Sequence, residues 1–199
     1  MLDKKKIIIT GGNGFLGKYL TTKFANAGYE VVALSRGQFD LTQREATERA
    51  FLEIKPDIVV HAAGFLGGIN FSRLYPGDVF LKNLQMACNV LEMTRKYRVE
   101  KLVNIGSACV YSDQLKGPFQ EEDMMALPMH PSVQYYGFSK QALYFGGRAF
   151  NEQFGQNSIH LVLANLYGPG DKFDPELSHV VSSMIPKFYH AMKKGDPEV

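Results

Sequence analysis

The sequence predicts an α/β protein built on a Rossmann-like, doubly wound parallel sheet. Five short segments rich in β-branched residues alternate with longer segments whose apolar residues recur every three or four positions. A glycine-rich turn directly follows the first short segment, and turn signals such as Lys55-Pro56-Asp57 separate later ones. Because strand and helix alternate, we expect βαβ units, which bind ligands at the carboxyl ends of their parallel strands.

The boundaries of the predicted elements follow from these patterns. Strands are predicted at residues 5–10, 30–35, 57–61, 101–106 and 159–164, and helices at residues 15–27, 42–54, 79–97, 133–154 and 180–194. The chain stops after the last of these helices, where a doubly wound sheet would continue with another strand. We therefore expect a C-terminally truncated chain.

Length and composition limit the class of protein. With 199 residues, 45% of them hydrophobic and 21% charged, the chain can bury one sizeable core. Its 22 Lys and Arg barely exceed its 20 Asp and Glu, which argues against nucleic-acid or membrane-surface partners and leaves an anionic small ligand open. No apolar stretch could span a bilayer and no signal peptide is evident, so we expect a cytoplasmic protein with reduced cysteines.

The turn after the first strand gives the clearest indication of a ligand. In Thr10-Gly-Gly-Asn-Gly-Phe-Leu-Gly17, three glycines at a spacing of three lie between a predicted strand and a predicted helix. Glycine allows a tight turn and a close approach of backbone N–H groups to a pyrophosphate, and the helix N-terminus favours its negative charge. An ordinary turn is the alternative, but this context favours dinucleotide binding. The predicted contacts are Gly11, Asn13, Gly14, Phe15, Leu16 and Gly17.

Three further segments are predicted to line the cofactor. Arg36 ends the second strand, where an NAD-selective protein usually has an acidic residue, and its guanidinium suits the 2′-phosphate of NADP(H). A solvated surface arginine is the alternative, and NAD(H) is the less favoured cofactor. The other two segments, which are also compatible with plain packing, are Asp40 and Leu41 beside the adenine, and Ala62, Ala63 and Gly64 after the third strand.

Ser107, Tyr136 and Lys140 form a candidate catalytic set. Ser107 follows the fourth strand, which places its hydroxyl at the carboxyl edge of the sheet. Tyr136 and Lys140 are four residues apart and share a helix face, so the ammonium could lower the pKa of the phenol. Tyr136 and Ser107 could then hydrogen-bond a substrate carbonyl while Lys140 holds the cofactor ribose. Such a pair also occurs on helices by chance, but its order after the glycine turn and Ser107 favours catalysis.

Two further residues are weaker candidates from their local sequence. Cys109 lies two residues after Ser107, so its thiol would point the same way if the backbone were extended there; the alternative is a buried small side chain. His179 lies in a polar loop before the last helix, where capping or packing is the alternative. Cys88, on an apolar helix face, is predicted to lie in the core. No cluster of His, Cys or carboxylates has metal-ligand spacing, so we predict no metal.

These motifs together resemble a known family, the extended short-chain dehydrogenase/reductases that act on nucleotide sugars. A narrower likeness, covering nearly the whole chain, is to the 3,5-epimerase/4-reductases that make GDP-L-fucose from GDP-4-keto-6-deoxy-D-mannose. It is carried by Gly67-Gly-Ile69, Tyr75-Pro76 with Asn83, Gly106-Ser-Ala-Cys109 with Tyr111, Asn165-Leu-Tyr-Gly-Pro169, and Asp171, Phe173, Pro175 and Ser178-His-Val180. Sugar 4,6-dehydratases usually carry Asp-Glu where this chain has Ala108-Cys109, so the resemblance favours epimerase chemistry.

The resemblance implies a two-stage reaction on a 4-keto-6-deoxy nucleotide sugar. Cys109 and His179 would act as base and acid in the inversions at carbons 3 and 5, and NADPH would then reduce carbon 4. The family also implies cofactor contacts at Asn165 and Leu166, a substrate contact at Asn83, and a homodimer through the two long helices. Lys187 stands where the family usually has an arginine for the nucleotide diphosphate, so a bidentate contact is lost there.

The family also implies a division of the chain. Residues 1–165 would form the NAD(P)-binding Rossmann domain, and residues 166–199 would begin a substrate-binding region, with most of the small C-terminal substrate domain missing. We therefore expect the 199-residue chain to bind cofactor but to catalyse poorly. Two alternatives stay open: another NAD(P)-dependent nucleotide-sugar epimerase or reductase, and a cofactor-binding module with weak or no catalysis.

Overall fold

Five parallel strands form a single sheet in the order β2-β1-β3-β4-β5. The computed structural model of the protein describes residues 4–174, 178 and 180–196. The strands are β1 (Lys6–Thr10), β2 (Glu30–Leu34), β3 (Ile58–His61), β4 (Lys101–Ile105) and β5 (Ser158–Leu161). The strand order reverses beside β1, and a doubly wound sheet binds its ligand in the crevice at such a switch point.

Helices cover both faces of the sheet. They are α1 (Phe15–Asn26), α2 (Arg44–Ile54), α3 (Ile69–Leu74), α4 (Pro76–Lys96), α5 (Gln134–Phe154) and α6 (Val180–Lys194). Alternate residues of a strand face opposite sides. Accordingly, Ile8 packs into the larger core with side chains of α2, α4 and α5, whereas Ile7 and Ile9 pack against side chains of α1. The two longest helices, α4 and α5, pack along each other.

The predicted architecture is confirmed, and the differences are local. The five strands and the five long helices are present, with ends displaced by at most three residues. The sequence does not predict α3, of 6 residues, or a 3₁₀ helix of 3 residues at Ala108–Val110, because elements this short carry no periodicity to detect. Strand β5 ends earlier than predicted, although the chain beyond it still accepts a hydrogen bond from the N–H of Ala108 to the carbonyl of Leu163 at 2.9 Å.

Neither long helix suits a membrane interior. Helices α4 and α5 each have 21 residues, but within the described part of the chain no helix is both long and apolar enough to cross a bilayer. Both bury residues along one side, as amphipathic helices of a layered fold do.

Candidate cofactor and active site

The glycine turn connects β1 to α1 along a backbone path that side chains would block. Gly11 has a φ of +65°, in the left-handed region that favours glycine. A Cβ at Gly17 would lie 2.1 Å from the carbonyl oxygen of Gly11, so α1 packs against the turn at a distance that only glycine permits. Gly14 precedes the helix, and among the described residues no side chain caps its first N–H groups. Those donors therefore face the carboxyl end of β1, where an anion can accept from them.

A cavity of about 150 Å³ opens beside this turn. Six of the residues predicted to contact the cofactor line it: Gly11, Arg36, Asp40, Leu41, Ala63 and Gly64. They belong to the loops after β1, β2 and β3, which meet at the carboxyl edge of the sheet. Because Leu34, Phe39 and Met86 also line it, the cavity offers apolar surface to a flat ring and polar groups to its substituents.

Arg36 is paired with a carboxylate at this cavity. Its Nε donates to Oδ2 of Asp40 at 3.3 Å, while Oδ1 of Asp40 accepts from the backbone N–H and the hydroxyl of Thr42 at 3.0 and 2.8 Å. Burial opposes ionisation of Asp40, but the bonds from Thr42 and the charge of Arg36 together lower its pKa below the ordinary value. Since this pairing uses one of the five N–H donors of a guanidinium, Arg36 can also hold a phosphate.

Partly buried hydrogen bonds fix the loop after β3. The hydroxyl of Thr10 accepts from the N–H of Ala63 at 3.0 Å. The side-chain amide of Asn83, on α4, accepts from the N–H of Phe65 and donates to its carbonyl, both at 2.9 Å. The small residues between these points therefore keep one position beside the cavity. Asn83 is 5% exposed and its amide holds this loop, so the structure gives it a positioning role, and its predicted contact with substrate stays a prediction.

Ser107, Tyr136 and Lys140 lie at the same edge of the sheet. Ser107 follows β4, and its hydroxyl caps the short 3₁₀ helix beyond it. Tyr136 and Lys140 are one turn apart on α5, with Lys140 Nζ 5.5 Å from the centroid of the Tyr136 ring. The Tyr136 hydroxyl reaches the loop after β3, where it lies 3.9 Å from the position that a Cβ would take at Gly64. Lys140 Nζ donates to the carbonyl of Ile105 at the end of β4, at 2.8 Å.

The protonation of this pair differs from the expectation. Burial, and after it the neighbouring Cys109, raises the pKa of Tyr136 well above its ordinary value. Burial lowers the pKa of Lys140 to about 8. The pKa of Tyr136 therefore moves upward, opposite to the predicted direction, because burial is the largest cause of the shift. Tyr136 is therefore a protonated phenol at neutral pH, which suits an acid that gives a proton to a developing oxyanion.

Cys109 lies beside Tyr136, but not through the extended backbone that the sequence suggested. Residues Ala108–Val110 form a 3₁₀ helix, so that assumption is wrong. This helix packs against α5: a Cβ at Gly137 would lie 2.5 Å from the carbonyl oxygen of Cys109. The thiol is free and half-buried. His179 lies outside the described residues, so its place beside Cys109 stays a prediction.

The loop after β5 approaches the glycine turn from the opposite side. Its predicted cofactor residues, Asn165 and Leu166, are exposed. The hydroxyl of Tyr19 on α1 donates to the carbonyl of Pro169 at 2.7 Å, which ties this loop to the helix that the glycine turn begins. Asn165 and Leu166 therefore lie within the set of loops around the crevice.

Two predictions outside the crevice have different outcomes. Lys187 is exposed on α6, and its predicted contact with substrate stays a prediction. Cys88, predicted in the core, is exposed on α4, so that prediction is wrong. Its apolar neighbours on the helix, including Leu81, face outward as well, and the sequence pattern alone does not distinguish an outward apolar face from a buried one.

Several residues of the cavity were missed by the sequence reasoning, chiefly Phe65 and Lys82. Phe65 follows Gly64 and Lys82 precedes Asn83, so both stand next to residues singled out for other reasons. Their positions next to Gly64 and Asn83 were the only indication in the sequence. The packing of α4 against the loop after β3 is what brings the two side chains to the same cavity.

A second cavity, of about 340 Å³, lies between α5 and the strands β4 and β5. Asn104 and His160 are paired across these strands, and Asn104 Oδ1 and both ring nitrogens of His160 are buried without a partner among the described residues. Burial and then the charge of Lys140 lower the pKa of His160 to about 4, so its ring is neutral at neutral pH.

Within the described ranges, no group of three or more His, Cys, Asp or Glu could hold a metal ion.

A doubly wound sheet with a glycine turn and these polar groups at its switch point is typical of the dinucleotide-binding fold of short-chain dehydrogenases/reductases. The chain belongs to the NAD dependent epimerase/dehydratase family, whose model matches residues 7–198. The resemblance stated from the motifs is thereby confirmed.

Individual relatives agree with this membership. The chain is 37% identical over 194 residues to the GDP-L-fucose synthase of Sinorhizobium fredii, a match that covers 98% of this chain and 62% of that protein. A GDP-mannoheptose C4 reductase from Campylobacter jejuni with NADP bound is similar at a TM-score of 0.88 and 31% identity, over 96% of this chain and 57% of that one. A GDP-L-fucose synthetase from Naegleria fowleri bound to NADP is similar at a TM-score of 0.86 and 28% identity, over 100% and 66%. The chain thus spans about 62% of the length of the Sinorhizobium protein.

Proposed function

We propose that the chain serves an NADP(H)-dependent epimerase/reductase that converts GDP-4-keto-6-deoxy-D-mannose to GDP-L-fucose. The observation that carries this proposal is the position of the Tyr136 hydroxyl at the carboxyl edge of the sheet, beside Cys109 and the loop at Gly64. The similarity to the GDP-L-fucose synthase of Sinorhizobium fredii supports the choice of substrate. Nucleotide-sugar chemistry also suits an edge that offers both an anion site and an acid.

The reduction of carbon 4 requires a hydride and a proton. NADPH, when bound, supplies the hydride. Tyr136 gives its proton to the oxygen on carbon 4, and Ser107 hydrogen-bonds the same oxygen. Lys140 holds the cofactor ribose, and its ammonium, with a pKa of about 8, favours the phenolate that Tyr136 leaves behind.

The epimerisation precedes reduction and uses the ketone as an electron sink. The ketone acidifies the protons on carbons 3 and 5, and Cys109 and His179 remove and return them on opposite faces. Ser107 and Tyr136 hydrogen-bond the oxygen of the enolate that forms. Support for Cys109 is its half-buried position beside Tyr136, whereas the role of His179 rests on the family pattern.

NADP(H) is the proposed cofactor and residues 1–165 the proposed cofactor domain. Arg36 lies at the cavity where the adenosine would bind, and two similar solved structures have NADP bound. Residues 166–199 would begin the substrate-binding region. Because the chain spans about 62% of the length of its Sinorhizobium relative, we expect residues 1–199 alone to bind cofactor but to turn substrate over slowly.

A homodimer through α4 and α5 is also part of the proposal. Helix α5 carries exposed apolar residues at alternating spacings of three and four: Tyr135, Phe138, Ala142, Phe145 and Ala149. We call this row the α5 seam. Leu81 and Cys88 are exposed on the adjacent helix α4. Apolar rows with this spacing pack against other helices rather than water.

The reaction can be tested by two signals in one experiment. The chain, at a concentration equal to that of the substrate, is incubated with GDP-4-keto-6-deoxymannose and NADPH in deuterated water. We expect slow nicotinamide oxidation and solvent deuterium at carbons 3 and 5. Hydride transfer without deuterium exchange would remove the epimerase step. If NADPH binds but neither signal appears, the alternative of a cofactor-binding module is favoured.

The Cys109→Ser variant separates the two steps. Because a serine hydroxyl is a far weaker base than a thiolate, we expect deuterium exchange to fall by at least tenfold, while reduction of an already epimerised substrate changes less than threefold (roughly 1.4 kcal/mol per tenfold). Cys88→Ser, on the outer side of α4, is the matched control. Equal losses in both steps would count against the proposed role of the thiol.

One other enzymatic function has an observation in its favour. The Campylobacter GDP-mannoheptose C4 reductase is as similar in fold as the fucose synthetase from Naegleria fowleri, with TM-scores of 0.88 and 0.86. A related GDP-sugar reductase would use Tyr136, Ser107 and Lys140 in the same way. The deuterium signal distinguishes the two, because a simple 4-reductase leaves carbons 3 and 5 unexchanged.

A further inference from the structure

We propose that Lys82 is a second determinant of selectivity for a 2′-phosphorylated dinucleotide, acting together with Arg36. The inference rests on the proposed function, because it concerns the cofactor of that enzyme. Lys82 belongs to α4, whereas Arg36 belongs to the loop after β2, and both line the cavity of about 150 Å³ beside the glycine turn.

The ammonium of Lys82 is held in place before any ligand arrives. Its Nζ lies 4.2 Å from the centroid of the Phe65 ring, a cation–π distance. The backbone of Phe65 is itself fixed by both ends of the Asn83 amide at 2.9 Å. Asn83 therefore fixes the backbone of the loop after β3, and this loop in turn holds the Phe65 ring beneath the ammonium of Lys82. An ammonium fixed in this way loses little side-chain entropy when it meets an anion.

The charges that line the cavity show why Lys82 matters. Arg36 is paired with Asp40 at 3.3 Å, and Asp40 stays ionised at neutral pH because its pKa is lowered. These two charges largely cancel. Lys82 is the other charged residue on the described lining, so it gives the cavity its positive balance. Without Lys82 the lining would be close to neutral and would discriminate poorly between a phosphate and a hydroxyl.

Lys82 also has a carboxylate partner, which lies outside the cavity lining. Lys82 Nζ lies 3.1 Å from Oδ2 of Asp78, one turn earlier on α4. The Asp78 side chain is 48% exposed and that of Lys82 is 27% exposed, and Asp78 is not part of the described cavity lining. Water therefore screens the carboxylate more than the ammonium.

The test compares two ligands that differ only in the 2′-phosphate, NADP⁺ and NAD⁺. Dissociation constants for both are measured by titration calorimetry on the 199-residue chain. We expect Lys82→Met to weaken NADP⁺ binding about fivefold and NAD⁺ binding less than twofold, as for a partly screened charge. Lys82→Arg should restore the preference, and Lys23→Met, an exposed lysine in the last turn of α1, should leave both constants unchanged.

A variant expected to bind NADP⁺ more tightly keeps the test valid even if Lys82→Met does not fold. Asp78→Asn removes the competing carboxylate, so we expect it to tighten NADP⁺ binding about twofold and to leave NAD⁺ unchanged. If Lys82→Met weakens both ligands equally, or neither, while the wild type still prefers NADP⁺, the inference is overturned and the proposed function stands. If the wild type binds neither nucleotide, the proposed function itself falls, and the role of Lys82 falls with it.

Discussion

At the scale of single residues, Lys140 carries the largest conflict between stability and function. It is 4% exposed, and burial lowers its pKa from 10.5 to about 8. The unfolded chain keeps its proton up to the higher value, so stability should rise with pH between about 8 and 10.5. Below that window the charged lysine costs about 3 kcal/mol relative to the unfolded chain.

Lys140→Met should therefore stabilise the fold while removing activity. Because the carbonyl of Ile105 loses its donor, we expect a net gain of about 1 to 2 kcal/mol at pH 7. This gain should shrink as pH rises from 8 towards 10.5. Urea unfolding at pH 7 and pH 9.5 measures the difference, with Lys23→Met as the control. A gain that does not change with pH would contradict the lowered pKa.

What the sequence predicts about a residue depends on whether its chemistry is local. Gly11 and Gly17 were identified correctly as residues of a tight turn, because a short turn between a strand and a helix requires glycine and this order is visible in the sequence. The protonation of Tyr136 was not, because it depends on burial by distant segments rather than on the lysine four residues away. The hydrogen bonds of Asn83 to Phe65 were not predicted, since they exist only after α4 packs beside the loop.

At the scale of elements, the hydrogen bonds from Asn83 on α4 to Phe65 in the loop after β3 should hold one wall of the cavity in place. We call these two bonds the clamp. In Asn83→Ala the N–H and carbonyl of Phe65 both lose their side-chain partner, which should cost about 2 to 4 kcal/mol. NADP⁺ affinity should fall as well, because the loop carries Ala63 and Gly64. Asn89→Ala is the comparison variant. It removes one hydrogen bond, to the carbonyl of Leu41, so its loss of stability should be about half as large. Urea unfolding that ranks the two variants equally would contradict the clamp.

The elements themselves were largely predictable, for reasons that also explain the failures. Strands β1 and β3 each contain three consecutive apolar residues because both faces of a parallel sheet are covered. The 3₁₀ helix at Ala108–Val110 was missed because three residues cannot show a period. That omission produced the wrong backbone for Cys109, whose place beside Tyr136 depends instead on the packing of this turn against Gly137.

At the scale of the whole molecule, the outward faces of α4 and α5 remain to be explained. The side chains of Leu81 and Phe145 are 53% and 48% exposed, although both lie on helices whose other sides are buried in the core. Exposed large apolar side chains grouped on one helix face mark an interface. The matching rows on two copies could interdigitate as four helices with twofold symmetry.

A charge placed in the α5 seam should therefore separate the copies without unfolding them. Phe145 is 48% exposed, so Phe145→Glu leaves the core intact, but it would bury an unpaired carboxylate twice in a symmetric interface, at a cost of several kcal/mol. We expect sedimentation velocity to show a dimer for the wild type and a monomer for Phe145→Glu, with unchanged circular dichroism. Leu52→Glu, at a residue 55% exposed on α2 and outside the seam, should remain dimeric. A wild-type monomer, or dissociation by both variants alike, would contradict a dimer through α4 and α5.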